Sequence, residues 1–408
     1  MPPEDRKAVG ARLRAAREAA PYWSRGTLAR LLRAAAEPRE LADVARVPSL
    51  TDMIKQWENG KHVPDHRYRT LYSRVTGKPV EELFAAGGED RSAGLTALSL
   101  HPPSTNGPLA DSAYLDALRE TNQDLVRLDG RWGGHDVLPL ALRVFRTAVH
   151  RIGVGAYKPS IERDLLAVAG ETGEITAWLA YDADQQMVSR QVAHEALMLS
   201  RQAGDRDMEL FLLSHLAMQS LYLQRPQEAL RITTAVLDES LPPRVAALFQ
   251  MRHGRGLAQI GDERRALDML ANVRSALSES IHLRDPYWTW WVNETELTWH
   301  RATAHAQLGQ WRKAIPLHEQ VALDCRKAHL YGNLDLAQLL DTLVRVRDWR
   351  RAEEVIGEIA ALSDAIGKGR TASLLRRVFA RIGQDGGAPS TVADGAAELR
   401  RALDGSVR

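Results

Sequence analysis

A repeated pattern in the second half of the chain constrains its fold more than any other feature. Three strings carry it: GDERRAL from Gly261, GQWRKAI from Gly309 and RDWRRAE from Arg347. Each has a turn residue and then an alanine five places later. QRPQEAL at Gln224 and, more weakly, ADQQMVS at Ala183 align with them. Similarity at a period of tens of residues indicates stacked copies of one small structural unit.

The small residues of the pattern indicate close helix packing. The aligned positions are Val188, Ala229, Ala266, Ala314 and Ala352, spaced 41, 37, 48 and 38 apart, with further small residues twelve places earlier at Ala217, Gly254 and Ala302. Leu340 departs from this pattern. The pattern resembles the tetratricopeptide repeat, which implies helical hairpins stacked into an α-solenoid over about residues 160–382. A period above the usual 34 or so implies longer helices.

The composition also favours an all-α protein. Of 408 residues, 44% are hydrophobic and 26% charged, and strand-type alternation is hard to find. The single cysteine, Cys325, excludes an intramolecular disulfide and fits a reducing cytoplasm. No apolar run approaches the ~20 residues of a membrane span, and MPPEDRKAVG at the start lacks the features of a signal peptide. We therefore expect a cytoplasmic protein without membrane contact.

Positive charge is concentrated at the N-terminal end. Residues 1–80 carry 16 Lys and Arg against 9 Asp and Glu, an excess of +7, whereas the remainder carries 38 against 43. The basic end is the part that should meet a polyanion. An excess of this size also occurs on solvated surfaces that have no partner.

Four helices and a short fifth are predicted in the first 85 residues. They are ARLRAAREAA, then RGTLARLLRAAA capped by Ser24, then LTDMIKQW capped by Ser49 and ended at Gly60, then HRYRTLYSRV after Asp65, and a last short helix that ends at Phe84. Glycine ends a helix readily because it adopts the left-handed conformation at little cost.

The same segment resembles the helix-turn-helix of the phage-repressor (Xre) family. The resemblance is carried by Ser24 with Thr27-Leu28-Ala29, by Ile54, and by Trp57-Glu58-Asn59-Gly60 with Pro64. In that family the helix that ends at the Trp-Glu-Asn-Gly turn enters the DNA major groove. The resemblance implies that the tryptophan packs in the core. Residues 33–48 form an insertion that ordinary members of the family lack.

The resemblance also assigns DNA contacts position by position. The predicted groove-facing residues are Thr51, Asp52, Lys55 and Gln56, and those near backbone phosphates are Ser24, Arg25, Lys61 and His62. Gln56 can read adenine, Lys55 can read guanine or hold a phosphate, and Asp52 can accept from cytosine. The alternative is that these side chains form only the solvated face of a helix.

Regulators of this architecture commonly bind a peptide or another effector in the concave groove of the repeats. The repeat register predicts groove-facing residues at Ser214, Met218, Met251, Arg255, Glu296, Trp299, Thr303, Ala337 and Asp341. No pattern typical of a clamp for a peptide C-terminus is present, so that ligand is not predicted.

A tryptophan-rich segment, PYWTWWVNETELTWH over residues 286–300, lies in the same region. Interpreted as one helix, it has Trp288, Val292 and Trp299 on one face and Trp290 and Glu294 on another. The predicted effector-binding residues are Arg255, Trp290, Asn293, Glu294, Trp299 and Thr303. The alternative places these tryptophans in the core or in a dimer interface.

Catalytic signals are weak throughout the sequence. His194-Glu195 and His318-Glu319 lack the second histidine of a zinc protease, and no phosphate-binding glycine loop follows a strand. We expect neither enzyme activity nor a metal or cofactor.

The sequence thus predicts an all-α, cytoplasmic regulator that binds double-stranded DNA as a homodimer. The predicted parts are a helix-turn-helix domain (1–85), a linker (86–110), a helical connector (111–160), a tetratricopeptide-like domain (161–382) and a loose tail (383–408). The alternative function is a protein-interaction scaffold whose N-terminal domain does not bind DNA.

Overall fold

The structure is a computed structural model that describes residues 3–18, 23–36, 44–76, 78, 83–84, 109–278, 285–328, 332–362 and 369–405. These residues contain helices and no strand, and one isolated bridge joins Ala110 to Tyr157. The prediction of an all-α protein is confirmed. The chain divides into two compact units, Met1–Leu100 and His101–Arg408.

The N-terminal unit is built around one aromatic core. Its helices are α1 (Pro3–Glu18), α2 (Arg25–Ala34), α3 (Val47–Glu58) and α4 (His66–Thr76). Helices α1 and α2 pack on α3, and α2 also packs on α4. Trp57 is buried, with its ring centroid 5.0 Å from that of Tyr68 and 6.1 Å from that of Tyr72. The expected position of Trp57 in the core is confirmed.

Local signals set three of the helix ends in this unit. Ser24 caps α2, as predicted, because its Oγ accepts the Thr27 N–H at 3.0 Å. The predicted cap at Ser49 is wrong. Helix α3 starts three residues earlier, after Arg46, since Pro48 in its first turn has the backbone angle that a helix needs. Gly60 ends α3, as predicted, with φ +68°.

The predicted insertion, 33–48, is fixed at both of its ends. Arg33 donates from Nη1 to the carbonyl oxygens of Val44 and Ala45 at 2.6 and 2.8 Å. The Ala45 N–H donates to the Tyr68 hydroxyl at 3.0 Å. The chain therefore enters α3 held by both α2 and α4, whereas residues 37–43 lie outside the described residues.

The second unit contains fourteen helices in the ranges that the structure describes. They are α5 (Ser112–Trp132), α6 (Gly134–Gly153), α7 (Glu162–Asp182), α8 (Gln186–Ala203), α9 (Arg206–Tyr222), α10 (Pro226–Leu237), α11 (Pro243–Gln259), α12 (Glu263–Ser278), α13 (Glu294–Gln307), α14 (Trp311–Ala328), α15 (Gly332–Arg345), α16 (Trp349–Ala361), α17 (Arg370–Gln384) and α18 (Ser390–Gly405). Short 3₁₀ turns lie at Pro159–Ile161 and Tyr287–Trp291.

From α7 onward these helices form six consecutive pairs. Within a pair the second helix packs on the first, and the first helices α7, α9, α11 and α13 also pack on one another in that order. Five pairs are joined by the same turn, in which one residue has a positive φ; these residues are Asp184, Gln224, Gly261, Gly309 and Arg347. The next N–H donates to the carbonyl oxygen five residues back, as from Asp262 to Leu257 at 3.0 Å. The repeated turn in the sequence is therefore a repeated helix end in the structure.

The predicted register needs one correction, in the first pair. The left-handed residue there is Asp184, not Ala183, so the small buried position five residues on is Ser189 and not the half-buried Val188. The corresponding alanines of the next four pairs are fully buried, as predicted. The left-handed residue is not a glycine at three of the five turns, so glycine alone does not identify these turns in the sequence.

Two predicted segments differ from the structure. Residues 111–160 form α5 and α6, which pack on α7 and so belong to the compact second unit. The tail, 383–408, is predicted to be loose with a short helix near its end, whereas the structure has the 16-residue helix α18 there. That helix buries four side chains at alternating spacings of four and three, which are Val392, Ala396, Leu399 and Leu403. Of the predicted linker, 86–110, only Leu109 and Ala110 lie within the described residues.

Candidate nucleic-acid interface

Helix α3 has a polar face opposite its buried face. Leu50, Ile54 and Trp57 are buried, whereas Asp52, Lys55 and Gln56 are exposed. Of the four residues predicted to face the groove, Thr51 is half-buried and its hydroxyl donates to the Val47 carbonyl oxygen at 2.7 Å. Three side chains thus project from one surface of α3, and the fourth turns back to its own helix.

A buried ion pair fixes the C-terminal end of α3. The Glu58 side chain has no exposed surface; its oxygens accept from Arg17 at 2.5 and 3.1 Å and from Arg25 Nε at 2.7 Å. Burial opposes the charge of Arg17, but the hydrogen bonds and the charge of Glu58 outweigh it and raise the pKa of Arg17. One carboxylate therefore ties α3 to both α1 and α2.

The next two residues of the Trp-Glu-Asn-Gly sequence fix the same helix end. Asn59 accepts from Arg14 Nη2 at 3.0 Å. A Cβ on Gly60 would lie 2.9 Å from the Lys7 Cα, and one on Gly10 would lie 2.7 Å from the Glu58 carbonyl oxygen. Glycine is needed at Gly60 both for its φ and for the close approach of α1. Sequence reasoning gave Glu58 no separate role, because its partners lie 41 and 33 residues away.

The predicted phosphate-contacting residues fall into two groups. Ser24, Lys61 and His62 are exposed at the start of α2 and just after the end of α3. Arg25 is 34% exposed, and its Nε is committed to Glu58. It holds α2 to α3 and leaves only part of its guanidinium to solvent.

Two further exposed arginines of the N-terminal unit were not among the predicted residues. Arg46 immediately precedes α3, and Arg30 lies on the exposed side of α2, where its Nη2 donates to the Thr27 hydroxyl at 3.2 Å. The signal available in the sequence for Arg46 was a basic residue shortly before Pro48, which lies in the first turn of α3. Arg46 adds positive charge at the start of α3, and Arg30 adds it on the neighbouring helix α2.

The tryptophan-rich segment is not the single helix that its sequence suggested. Tyr287–Trp291 forms a 3₁₀ turn, the chain then extends, and α13 starts afresh after Asn293. The Asn293 Oδ1 accepts from the backbone N–H groups of Thr295 and Glu296 at 2.9 and 3.1 Å. The strong capping preference of asparagine ended the helical periodicity, so the predicted two faces are wrong.

The residues predicted to bind an effector therefore do not all lie together in one site. Asn293 is the cap, exposed Glu294 lies 3.8 Å from Arg274, and the Thr303 hydroxyl donates to the Trp299 carbonyl oxygen. Trp290, before the break, is half-buried. The structure does bring Arg255 and Trp299 together, with the guanidinium 4.7 Å from the ring centroid.

Part of the predicted groove surface is core. Ser214, Met251 and Ala337 are fully buried, because consecutive first helices pack closely at these positions. The other predicted groove residues, apart from the buried Arg255, are half-buried: Met218, Glu296, Trp299, Thr303 and Asp341. The sequence did not predict a role in this region for Arg252, Tyr181 or Arg370. These residues lie on α11, α7 and α17, which are three different first helices.

The histidines that resembled metal-site fragments have other surroundings. His318 is buried, and burial lowers its pKa to about 4; Glu319 pairs with Arg351. His194 is exposed on α8. Among the described residues no three His, Cys, Asp or Glu side chains come together as a metal site.

Comparison of the chain with protein-family models, curated proteins and solved structures gives no match. No helix in the described ranges has the length and apolar character needed to cross a membrane.

Proposed function

We propose that this chain is a sequence-specific DNA-binding transcriptional regulator of the cytoplasm, resembling the Xre family. The observation that carries the proposal is the polar face of α3. Asp52, Lys55 and Gln56 are exposed together on a helix whose other face and C-terminal end are held rigidly in the core. Rigid presentation of base-reading side chains is what direct readout in the major groove requires.

The charge and architecture of the chain support the proposal. The excess of +7 over residues 1–80 would supply attraction to phosphates. One short helix reads too few base pairs for useful specificity, so we propose that the protein binds as a homodimer on two half-sites. The six helix pairs, which resemble tetratricopeptide repeats, would receive an effector that changes operator affinity.

The decisive experiment is selection of genomic fragments by the full chain, followed by affinity measurements against salt concentration. We expect a preferred sequence and a steep linear fall of log affinity with log salt, since neutralised phosphates release counterions. The double variant K55A/Q56A should lose roughly 1–3 kcal/mol of base discrimination per contact while nonspecific binding persists.

Lys313→Ala is the matched control, because Lys313 is an exposed lysine on α14, far along the chain from α3. It should leave sequence preference unchanged. Retained preference in K55A/Q56A would refute the assignment of these residues. Absence of salt-dependent DNA binding by the full chain would refute the function.

A specific observation favours a second candidate, a protein-interaction scaffold. Met187 and Met198 are 79% and 61% exposed on α8. Exposed methionines adapt readily to protein partners. Under this alternative the N-terminal unit would keep its fold and lack DNA binding, so the salt titration separates the two functions.

A further inference from the structure

Two arginines are buried in the second unit without acceptors. Arg252 and Arg255 lie one turn apart on α11 and are only 2% and 7% exposed. Arg252 Nε and Nη1 and Arg255 Nε have no hydrogen-bond acceptor from the protein. Arginine carries five N–H donors and keeps its charge at neutral pH, so a buried guanidinium in this state is costly.

Charge around the two arginines is incompletely balanced. Burial lowers the pKa of each to about 10, so both remain positive at neutral pH. The charged carboxylate that acts on both is Glu296, whose Oε1 lies 3.1 Å from His300 Nε2 and not within 4 Å of either guanidinium. Burial lowers the pKa of His300 to about 4, so this histidine is neutral. Two positive charges thus face one negative charge.

Groups from other helices complete the site. Arg255 lies over the ring of Trp299, whose Nε1 donates to Gln338 Oε1 at 2.8 Å. From α17, Arg370 lies 4.0 Å from the ring centroid of Tyr181, and its guanidinium is satisfied by Asp182. The ion pair of Arg370 with Asp182 has no net charge. The excess of positive charge is therefore at Arg252 and Arg255.

We propose that Arg252 and Arg255 bind an oxyanion, the carboxylate or phosphate group of a small-molecule effector. The free N–H donors of a guanidinium match a carboxylate or phosphate in fork geometry, and Lys or His would not provide this match. An arriving anion would supply the missing acceptors and the missing negative charge. A neutral ligand would supply acceptors without the negative charge, and a cation would not supply that charge either.

A nearby depression indicates where the rest of such a ligand would lie. It encloses about 220 Å³, open solvent included, and its lining includes Trp178, Tyr181, His215 and Met218. Neither arginine lines it, but His215 and Met218 lie on α9, which packs on α11, the helix that carries both arginines. The aromatic lining suits a ligand with an apolar body next to its anionic group.

The regulatory meaning of this site rests on the proposed function, but anion binding itself does not. It is therefore tested without DNA, so that each proposal can fail alone. The thermal midpoint of the full chain is measured in rising inorganic phosphate and, separately, rising acetate, with sodium chloride holding ionic strength constant. We expect a saturable rise, with half-saturation on the order of millimolar for such small probes.

The separate titrations with acetate and phosphate show whether the arginines bind a carboxylate or a phosphate group. Saturation by acetate alone assigns a carboxylate, and saturation by phosphate alone assigns a phosphate. Arg252→Met and Arg255→Met should each weaken anion binding at least about tenfold. In sodium chloride without the anion, neither variant should unfold at a lower temperature than the wild type. Replacement of an unpaired buried charge by an apolar side chain of similar size is often neutral or stabilising.

Arg264→Met is the matched control, because Arg264 is exposed on α12, the partner helix of α11. It should keep the full anion response. Equal responses in all four proteins would place the anion elsewhere and overturn the proposal. Early unfolding of the Arg252 and Arg255 variants, with no saturable response in the wild type, would show that the arginines serve packing only.

Discussion

The two units of the molecule bury charge in opposite ways. In the N-terminal unit the enclosed group is a carboxylate, Glu58, and two arginines saturate its oxygens. In the second unit the enclosed groups are Arg252 and Arg255, and three of their nitrogens lack acceptors. The charged network at Glu58 thus has its partners in place, whereas the arginines at 252 and 255 do not.

The difference distinguishes a buried charge that stabilises the fold from a buried charge that binds a ligand. A buried ion network with every partner in place fixes helix geometry, and nothing remains for a ligand to add. A buried cation without acceptors keeps a free energy deficit that only an incoming anion relieves. By this reasoning Glu58 is a support for the surface of α3, and Arg252 is part of a binding site.

The largest expected effect comes from breaking the completed network. Glu58→Ala leaves the buried Arg17 with only the exposed Glu18 as an anionic partner and should destabilise the N-terminal unit by roughly 3–5 kcal/mol. Hydrogen exchange of the α3 amides in the full chain measures the loss, because local opening of this helix sets the exchange rate. The DNA binding that we propose should fall together with protection.

Glu18→Gln is the control for this variant. Glu18 binds the same arginine at 2.7 Å, but its side chain is 50% exposed. Exposed pairs contribute about 0–1 kcal/mol, so protection of α3 should barely change. Similar losses in both variants would mean that Glu58 is not the support of α3.

Arg370, whose carboxylate partner Asp182 is in place, allows the comparison to be made within the second unit. Arg370→Met removes the partner of the largely buried Asp182 and should lower the stability of the unit by about 2–3 kcal/mol, in contrast to Arg252→Met. Thermal midpoints of the two variants, measured side by side, check the contrast. Arg350→Met, which loses only an exposed pair with Glu354, should stay within about 0.5 kcal/mol of the wild type. A loss for Arg252→Met as large as that for Arg370→Met would erase the distinction.

The features that the sequence could predict are local ones. Helical periodicity, the Ser24 cap, the left-handed Gly60 and the repeated turns each depend on a few neighbouring residues, and the structure confirms them. The misses have two causes. Ser49 and the tryptophan-rich segment failed because a neighbouring Pro48 or Asn293 moved a helix start.

Tertiary partnership accounts for the other misses. Nothing near Glu58 in the sequence indicates Arg17 or Arg25, and nothing near Arg252 indicates that acceptors are missing. Exposure of Asp52, Lys55 and Gln56 follows from helical periodicity, whereas their contact with bases stays a prediction. The charge state of a side chain depends on what the fold places around it.

The smallest expected effect concerns a buried acid that stays neutral. Burial, aided by the charge of Glu171, raises the pKa of Glu174 to about 8, and its Oε1 lies 3.1 Å from His215 Nδ1. Because the folded pKa exceeds the ordinary value, this group adds stability at low pH, which is lost as pH rises through about 8. Glu174→Gln keeps a polar contact with His215 and cannot ionise. Relative to the variant, the wild type should lose roughly 1–2 kcal/mol between pH 6.5 and 8.5.

Within this pH range the change in stability reports the ionisation of Glu174 and not that of His215. Burial, aided by the charge of Arg252, lowers the pKa of His215 to about 3, so the stability linked to His215 is present above about 6.5 and is lost only at lower pH. Thermal midpoints of wild type, Glu174→Gln and the exposed control Glu263→Gln, taken across that window, give the difference directly. Parallel curves for all three proteins would mean that Glu174 ionises normally. The second unit would then hold a buried carboxylate beside the neutral His215, and not the neutral pair that the raised pKa of Glu174 implies.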